Sequence, residues 1–231
     1  MSWFTKTLSS SVGRKVVMSL TGLFLIVFLL EHMIGNLLLL KTDGGASFNE
    51  FAHFMKHSMI IQAGELVLFG GILFHAIDGI ILVRKNKSAR PVAYASGNKS
   101  RLDSWASKYM GPFGLIILIF IIIHLVDFFS YKYFVASPVA DVTIDEVVMT
   151  DMAKIVYMKF QSIGYVIFYV IAMLITAFHL NHGFQSAFQT LGVNHVKYSG
   201  LIKKLSFLYS VAIPLGLALI PILIYFGSYL N

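Results

Sequence analysis

Five stretches of the chain, near Val16 to Leu40, Met59 to Val83, Gly111 to Phe134, Ile155 to Phe188 and Leu205 to Tyr229, constrain the fold most. Each is apolar over more than the roughly 20 residues an α-helix needs to cross about 30 Å of hydrocarbon. In lipid a backbone must satisfy its own hydrogen bonds, so runs of this length point to helices. The expected architecture is all-α, an integral membrane bundle of five transmembrane helices forming one domain over residues 1–231. The composition agrees: 57% of residues are hydrophobic and 13% charged, where a soluble domain is apolar over about one half. The first run follows Arg14 and Lys15, is too long for a signal-peptide core and contains Glu31 and His32, so it is expected to remain as a span.

Charge gives an orientation. Of the 18 basic residues, thirteen fall in the N-terminal segment and in the second and fourth connections, and the other five are diluted by acidic residues on the opposite side. The positive-inside rule then puts the N-terminus in the cytoplasm and the C-terminus outside. A net charge of +7 is explained by this asymmetry, with no nucleic-acid partner needed. The basic connection RKNKSARPVAYASGNKSRLDSW reads as an irregular cytoplasmic loop and a docking surface for a soluble partner. On the other side, SFNEFAHFMKHSM has apolar residues at helical spacing and reads as a short interfacial helix, while PVADVTIDEVVMTDMAK is acidic and expected to be partly helical. Trp3 and Trp105 read as interfacial anchors. No internal repeat or low-complexity tract is evident.

Cysteine is absent, which excludes an iron–sulfur cluster, a disulfide and a covalently attached c-type haem within this chain. Histidine is placed unusually. His32, His75, His124 and the pair His179 and His182 lie one helix after another on the first four spans, and the fifth has none. An ionisable side chain in a bilayer is costly and generally faces a partner or a cavity. Depth suggests how they pair. His32 stands 17 residues beyond Lys15 and His124 16 residues beyond Lys108, both roughly 25 Å in at 1.5 Å per residue. His75 is nine residues from Arg84, roughly 13 Å, and His179 is roughly 20 Å from Gly192.

A flat macrocycle between helices takes one imidazole on each face, and haem iron accepts histidine axially. The pattern fits two non-covalent, bis-histidine haem b groups, an outer one between His32 and His124 and an inner one between His75 and His179. His182, one turn nearer the cytoplasm on almost the same face, is the alternative inner ligand; otherwise it serves a propionate, a backbone carbonyl, a quinone or merely the helix end. Gly35, Gly71, Gly79 and Gly183 share the histidine faces of their helices, where a missing side chain admits a ring or, equally, a neighbouring helix. Arg14 and Ser19 lie on the cytoplasmic side of His32, in reach of inner propionates, although Arg14 and Lys15 also serve topology. Ionisable groups toward the outer side, Glu31, Asp127, Glu50, His53, His57 and Glu65, are candidates for proton exchange with quinone.

With EHMIGN around His32, FHAIDG around His75, IIHLVDFF around His124 and FHLNHGFQSAFQTLG around His179, in that order, the chain resembles the diheme cytochrome b anchor of succinate dehydrogenase and fumarate reductase, in its single-subunit, five-helix form. The resemblance covers nearly the whole chain. It implies that the first and third helices ligate the outer haem and the second and fourth the inner one, and it favours His179 over His182, since some relatives carry asparagine at the latter position. It further implies a flavoprotein subunit that interconverts succinate and fumarate, an iron–sulfur subunit on the cytoplasmic side, a quinone, with menaquinone the carrier typical of such anchors, and a place in the cell inner membrane among membrane lipids. A dimer of the whole complex is compatible with it. Fumarate-reducing relatives carry a glutamate just before the fourth-helix ligand; TAFHL has no carboxylate there, so that proton path is not expected.

Two other readings compete. Anchors of hydrogenases and formate dehydrogenases are also histidine-rich cytochromes, but one histidine position on each of four consecutive helices with a histidine-free fifth argues against them. A haem-free, proton-coupled transporter would be expected to show paired halves and broken helices, and neither is visible.

Overall fold

The computed structural model describes residues 10–88, 101–193 and 195–227, and the side chains of all of these except 86, 87 and 101–107. Five helices are long and apolar enough to cross a membrane: Ser11–Leu40, Met59–Lys85, Lys108–Tyr133, Ile163–Thr190 and Val196–Phe226. Helix α1 (Ser11–Leu37) starts at Ser10, whose hydroxyl accepts the Gly13 amide at 3.0 Å, and closes with a 3₁₀ turn, Leu38–Leu40. There follow the short helix α2 (Ala46–His57), α3 (Met59–Ser88) and α4 (Arg101–His124), then a π-helical turn Leu125–Phe129 running into α5 (Ser130–Tyr133). A hairpin of β1 (Val142–Ile144) and β2 (Val147–Met149) leads to α6 (Met152–Phe160), α7 (Ile163–Thr190) and α8 (Val196–Phe226).

Several boundaries differ from the hydropathy reading. The fourth apolar run is broken at Gln161 and Ser162, where the amides turn back to Met158 and Lys159 carbonyls at 3.4 and 3.3 Å. The broken-off piece, α6, has its own cap, Asp151 accepting the Lys154 amide at 3.0 Å, and buries Ala153, Ile155, Val156, Tyr157 and Phe160. Its apolar residues serve protein packing, which a hydropathy window cannot distinguish from lipid contact. α8 begins nine residues ahead of the expected Leu205, because Lys203 and Lys204 interrupt hydropathy without interrupting backbone hydrogen bonds. The basic connection is helical at both described ends, in α3 to Ser88 and in α4 from Arg101. Its middle, along with Trp3 and the Trp105 side chain, lies outside the described residues and side chains.

The acidic segment before the fourth span is a hairpin before it is a helix, so the fold is not purely α. β-branched Val142, Thr143 and Ile144 pair with Val147, Val148 and Met149 in antiparallel register. The two residues between them, Asp145 and Glu146, have φ of 47° and 64°, the left-handed pair of a type I′ hairpin turn.

The residues cluster in two compact units, to both of which every long helix contributes: the described parts of Met1–Phe28, Leu68–Leu118 and Ile175–Val211, and the described parts of Leu29–Val67, Ile119–Leu174 and Ala212–Asn231. The first unit is tied by polar contacts between spans. Ser206, fully buried on α8, donates to the Asn181 carbonyl at 3.1 Å, and the Tyr209 hydroxyl donates to the carbonyl of Ile26. The second has an apolar core of Leu39, Phe120, Tyr157, Phe160, Tyr169 and Ile224 among others. There α2 and α6 are clasped by Asn49, only 2% exposed, which donates to Asp151 at 2.9 Å and accepts the Ala153 amide at 2.8 Å. The expected short helix is thus present, with a buried asparagine as its anchor.

Gly45, which precedes α2, has φ of 87°, and a Cβ there would run into the Cβ of Ala153. A Gly45→Val chain is expected to lose stability by at least the roughly 1–3 kcal/mol of the backbone conformation alone. Thermal unfolding in detergent reads this as a lowered Tm.

Candidate functional site

The four spans that carry histidine bring the rings together in twos. In the second unit His32 of α1 meets His124 of α4, with ring centroids 5.7 Å apart and planes at 82°. In the first, His75 of α3 meets His179 of α7, with centroids 6.3 Å apart and planes at 72°. A metal bound by one nitrogen of each ring at about 2 Å would set the centroids roughly 6 Å apart. Both pairs therefore stand at the separation of two rings that share one ion. Among the described residues no three or more His, Asp or Glu side chains converge as an all-protein metal site would need. Haem iron accepts histidine nitrogen as an axial ligand, so two facing imidazoles would suit such a group.

The surroundings fit such a group. Around His124 lie the rings of Phe120, Phe128 and Tyr169, with centroids at 5.9, 5.3 and 6.1 Å, and the Tyr169 hydroxyl is 3.3 Å from Nδ1. Around His75 and His179 the flanks are bare: a Cβ on Gly22 of α1 would come within 3.2 Å of His75 Cε1, and one on Gly114 of α4 within 3.6 Å of His179 Cε1. The Nδ1 of His179 is buried with no hydrogen-bond partner, a costly omission for an imidazole that nothing else engages. His182 follows one turn later on α7; it is the His179 ring that faces His75.

The glycines expected at the rings have other neighbours. A Cβ on Gly35 would meet Phe51 at 2.6 Å, one on Gly71 Phe24 at 3.3 Å and one on Gly79 Met18 at 3.4 Å, while Gly183 has nothing within 4 Å. Those that abut imidazoles, Gly22 and Gly114, sit on helices that carry neither ring of that pair. Spacing along the histidine's own helix could not reveal them.

A second regularity accompanies the rings. Asp78 and Asp127 each lie three residues after a paired histidine, each is under a tenth exposed, and each binds a cation from another helix. Arg14 Nη1 donates to Asp78 at 2.6 Å, and Lys159 Nζ donates to Asp127 at 2.7 Å with the Tyr165 hydroxyl 3.4 Å from the same oxygen. Arg14 Nε and Asp127 Oδ2 are buried without hydrogen-bond partners. The hydrogen bond to Asp127 holds the Lys159 ammonium above the usual lysine range, so Lys159 stays charged at neutral pH. Asp127 belongs to the π-helical turn that starts directly after His124, a distortion that recurs at functional sites. Asp78, Lys159, Thr21 and Tyr169 escape the reading of the sequence alone; for Asp78 a signal exists, in the H-x-x-D spacing repeated at 75/78 and 124/127.

Ser19 is buried and donates its hydroxyl hydrogen to the Lys15 carbonyl at 2.8 Å. Of the proton-exchange candidates, Glu50, His53 and His57 line one open cavity of about 560 Å³, bordered also by Asp145 and Val147 of the hairpin segment. Glu65 is held by Lys132 and by the Tyr133 hydroxyl at 3.1 Å, and Glu31 is exposed on α1.

No family model and no solved structure matches the chain. The succinate dehydrogenase cytochrome b558 subunit of Bacillus subtilis (strain 168) is 27% identical to it over 168 residues, which cover 72% of this chain and 73% of that protein. A helical protein with five candidate membrane spans and two facing histidine pairs is thus similar in sequence to a cytochrome b subunit of succinate dehydrogenase.

Proposed function

We propose that the chain is the membrane anchor and diheme electron-transfer subunit of a succinate:quinone oxidoreductase, in the cell inner membrane. The observation that carries this reading is the pair of imidazole couples, 5.7 and 6.3 Å between centroids, on four spans of a chain similar to a succinate dehydrogenase cytochrome b subunit. His32 and His124 would hold the outer haem b and His75 and His179 the inner one. Haem bound there supplies one-electron carriage between an iron–sulfur partner subunit and membrane quinone, while succinate and fumarate chemistry belongs to a partner flavoprotein.

The chain's own residues bind, shield and balance charge. The imidazoles donate to iron, and Phe120, Phe128 and Tyr169 keep water from the outer couple. Gly22 and Gly114 leave the flanks of the inner couple open to a flat ring. Arg14, held by Asp78 with its Nε still unpaired, is a donor for an inner propionate. Quinone, menaquinone by resemblance, is assigned to the cavity lined by Glu50, His53 and His57, whose side chains can pass protons to and from the outer aqueous side. The flavoprotein and iron–sulfur subunits would dock on the cytoplasmic side, which carries the N-terminus and most of the basic residues.

The test is composition of the intact complex. Two haem b per chain, a low-spin b-type spectrum and a copurifying flavoprotein with succinate-dependent dye reduction are the expected results. A preparation without haem overturns the proposal in favour of a transporter. Haem without a flavin subunit moves the chain to another respiratory enzyme.

A further inference from the structure

The hydroxyl of Thr21 on α1 lies 2.8 Å from the Val17 carbonyl, 3.2 Å from the Met18 carbonyl and 3.2 Å from Nδ1 of His75 on α3. A hydroxyl has one hydrogen, and both carbonyls can only accept. That hydrogen is committed to its own helix, nearest to Val17, the usual back-bond of a threonine within a helix. What Thr21 offers His75 is a lone pair. Contact at 3.2 Å is then a hydrogen bond with the hydrogen on Nδ1. A neutral imidazole with hydrogen on Nδ1 carries its free lone pair on Nε2.

We infer that Thr21 is a positioning residue for the inner haem: by accepting from Nδ1 it fixes the His75 ring and strengthens Nε2 as a metal donor. Metal-bound histidines generally give their second N–H to such an acceptor, which raises ligand basicity. The facing ring lacks one, since Nδ1 of His179 is buried with no partner. The inner couple is therefore uneven, with His75 the stronger ligand. This rests on the proposal that the couple holds a haem. A more basic axial nitrogen favours oxidised iron, so the Thr21 contact holds the inner potential down.

Thr21→Val keeps the shape and removes the acceptor; Thr21→Ser keeps the acceptor; Thr21→Ala removes it without a branched side chain. His75 and His179 remain in all three, so the haem stays while donor strength falls. Redox titration of the purified complex, with its haem-to-protein ratio and low-spin electron paramagnetic resonance signals, reads the result. The inner haem is the one lost on replacing His75. In the valine and alanine chains both haems are expected to remain, with the inner midpoint potential shifted upward, its signal altered and the outer one unmoved; the serine chain is expected to match wild type. Two haems with unshifted potentials in the valine and alanine chains, or a serine chain shifted as far as they are, overturns the inference and leaves the diheme reading standing. Wild-type protein without haem overturns that reading instead.

Discussion

Replacing His124 with leucine is expected to remove one haem per chain and leave the other, and His75→Leu to do the same at the other couple. Leucine keeps an apolar side chain in each span, so the helix still suits lipid while the metal donor is gone. The couples stand in different surroundings: His124 among Phe120, Phe128 and Tyr169, and His75 among Thr21, Gly22 and His179. A haem-to-protein ratio falling from two to one in each variant, with complementary losses in the reduced-minus-oxidised spectrum, is the result sought. The same assay on α7 decides between its two histidines. His179→Leu should lose the inner haem and His182→Leu should retain it; the reverse would reassign the ligand.

What can be read from the residues follows the range of the interaction concerned. Five spans and the isolated histidines within them are local signals, set by hydropathy and by the cost of a polar group in oil, and the five helices are there. Span ends read less well. At Ile155 an apolar run serves a packed helix capped by Asp151, and at Lys203 a charged run sits inside a helix. The hairpin at Asp145 and Glu146 escapes such reading because its strands are three residues long and its turn has glutamate where glycine is the usual signal. The partners of the rings are beyond reach for another reason. Thr21 is 54 residues from His75 and Tyr169 is 45 from His124, so no periodicity within one helix connects them. The same holds for the cations: the position of Arg14 suits a propionate, but its carboxylate partner, Asp78, emerges only when α1 and α3 are packed.

Gly22 to leucine should empty the inner site, whereas Gly183 to leucine should leave it filled. The sequence alone favours the opposite choice, since Gly183 lies one turn from His179 on the same face. Around Gly183 no atom beyond its chain neighbours and its own helix backbone comes within 4 Å of the place a Cβ would take, so a side chain there meets open space. At Gly22 even a Cβ would stand 3.2 Å from His75 Cε1, tighter than ordinary contact, and the ring must give way. A leucine adds three more carbons on the flank where a macrocycle gripped by His75 would extend. Overpacking of this kind costs about 1–3 kcal/mol, which as lost haem affinity is roughly 5- to 150-fold. Gly114→Leu, facing His179 Cε1 at 3.6 Å, should act in the same direction with a smaller effect. Gly35→Leu separates site from scaffold: its clash is with Phe51 of α2, so it should lower thermal stability without selectively removing the inner haem. Haem-to-protein ratio and Tm measured on all four chains distinguish these outcomes. Loss of the inner haem in the Gly183 chain but not in the Gly22 chain would mean that the ring enters from the other side of α7.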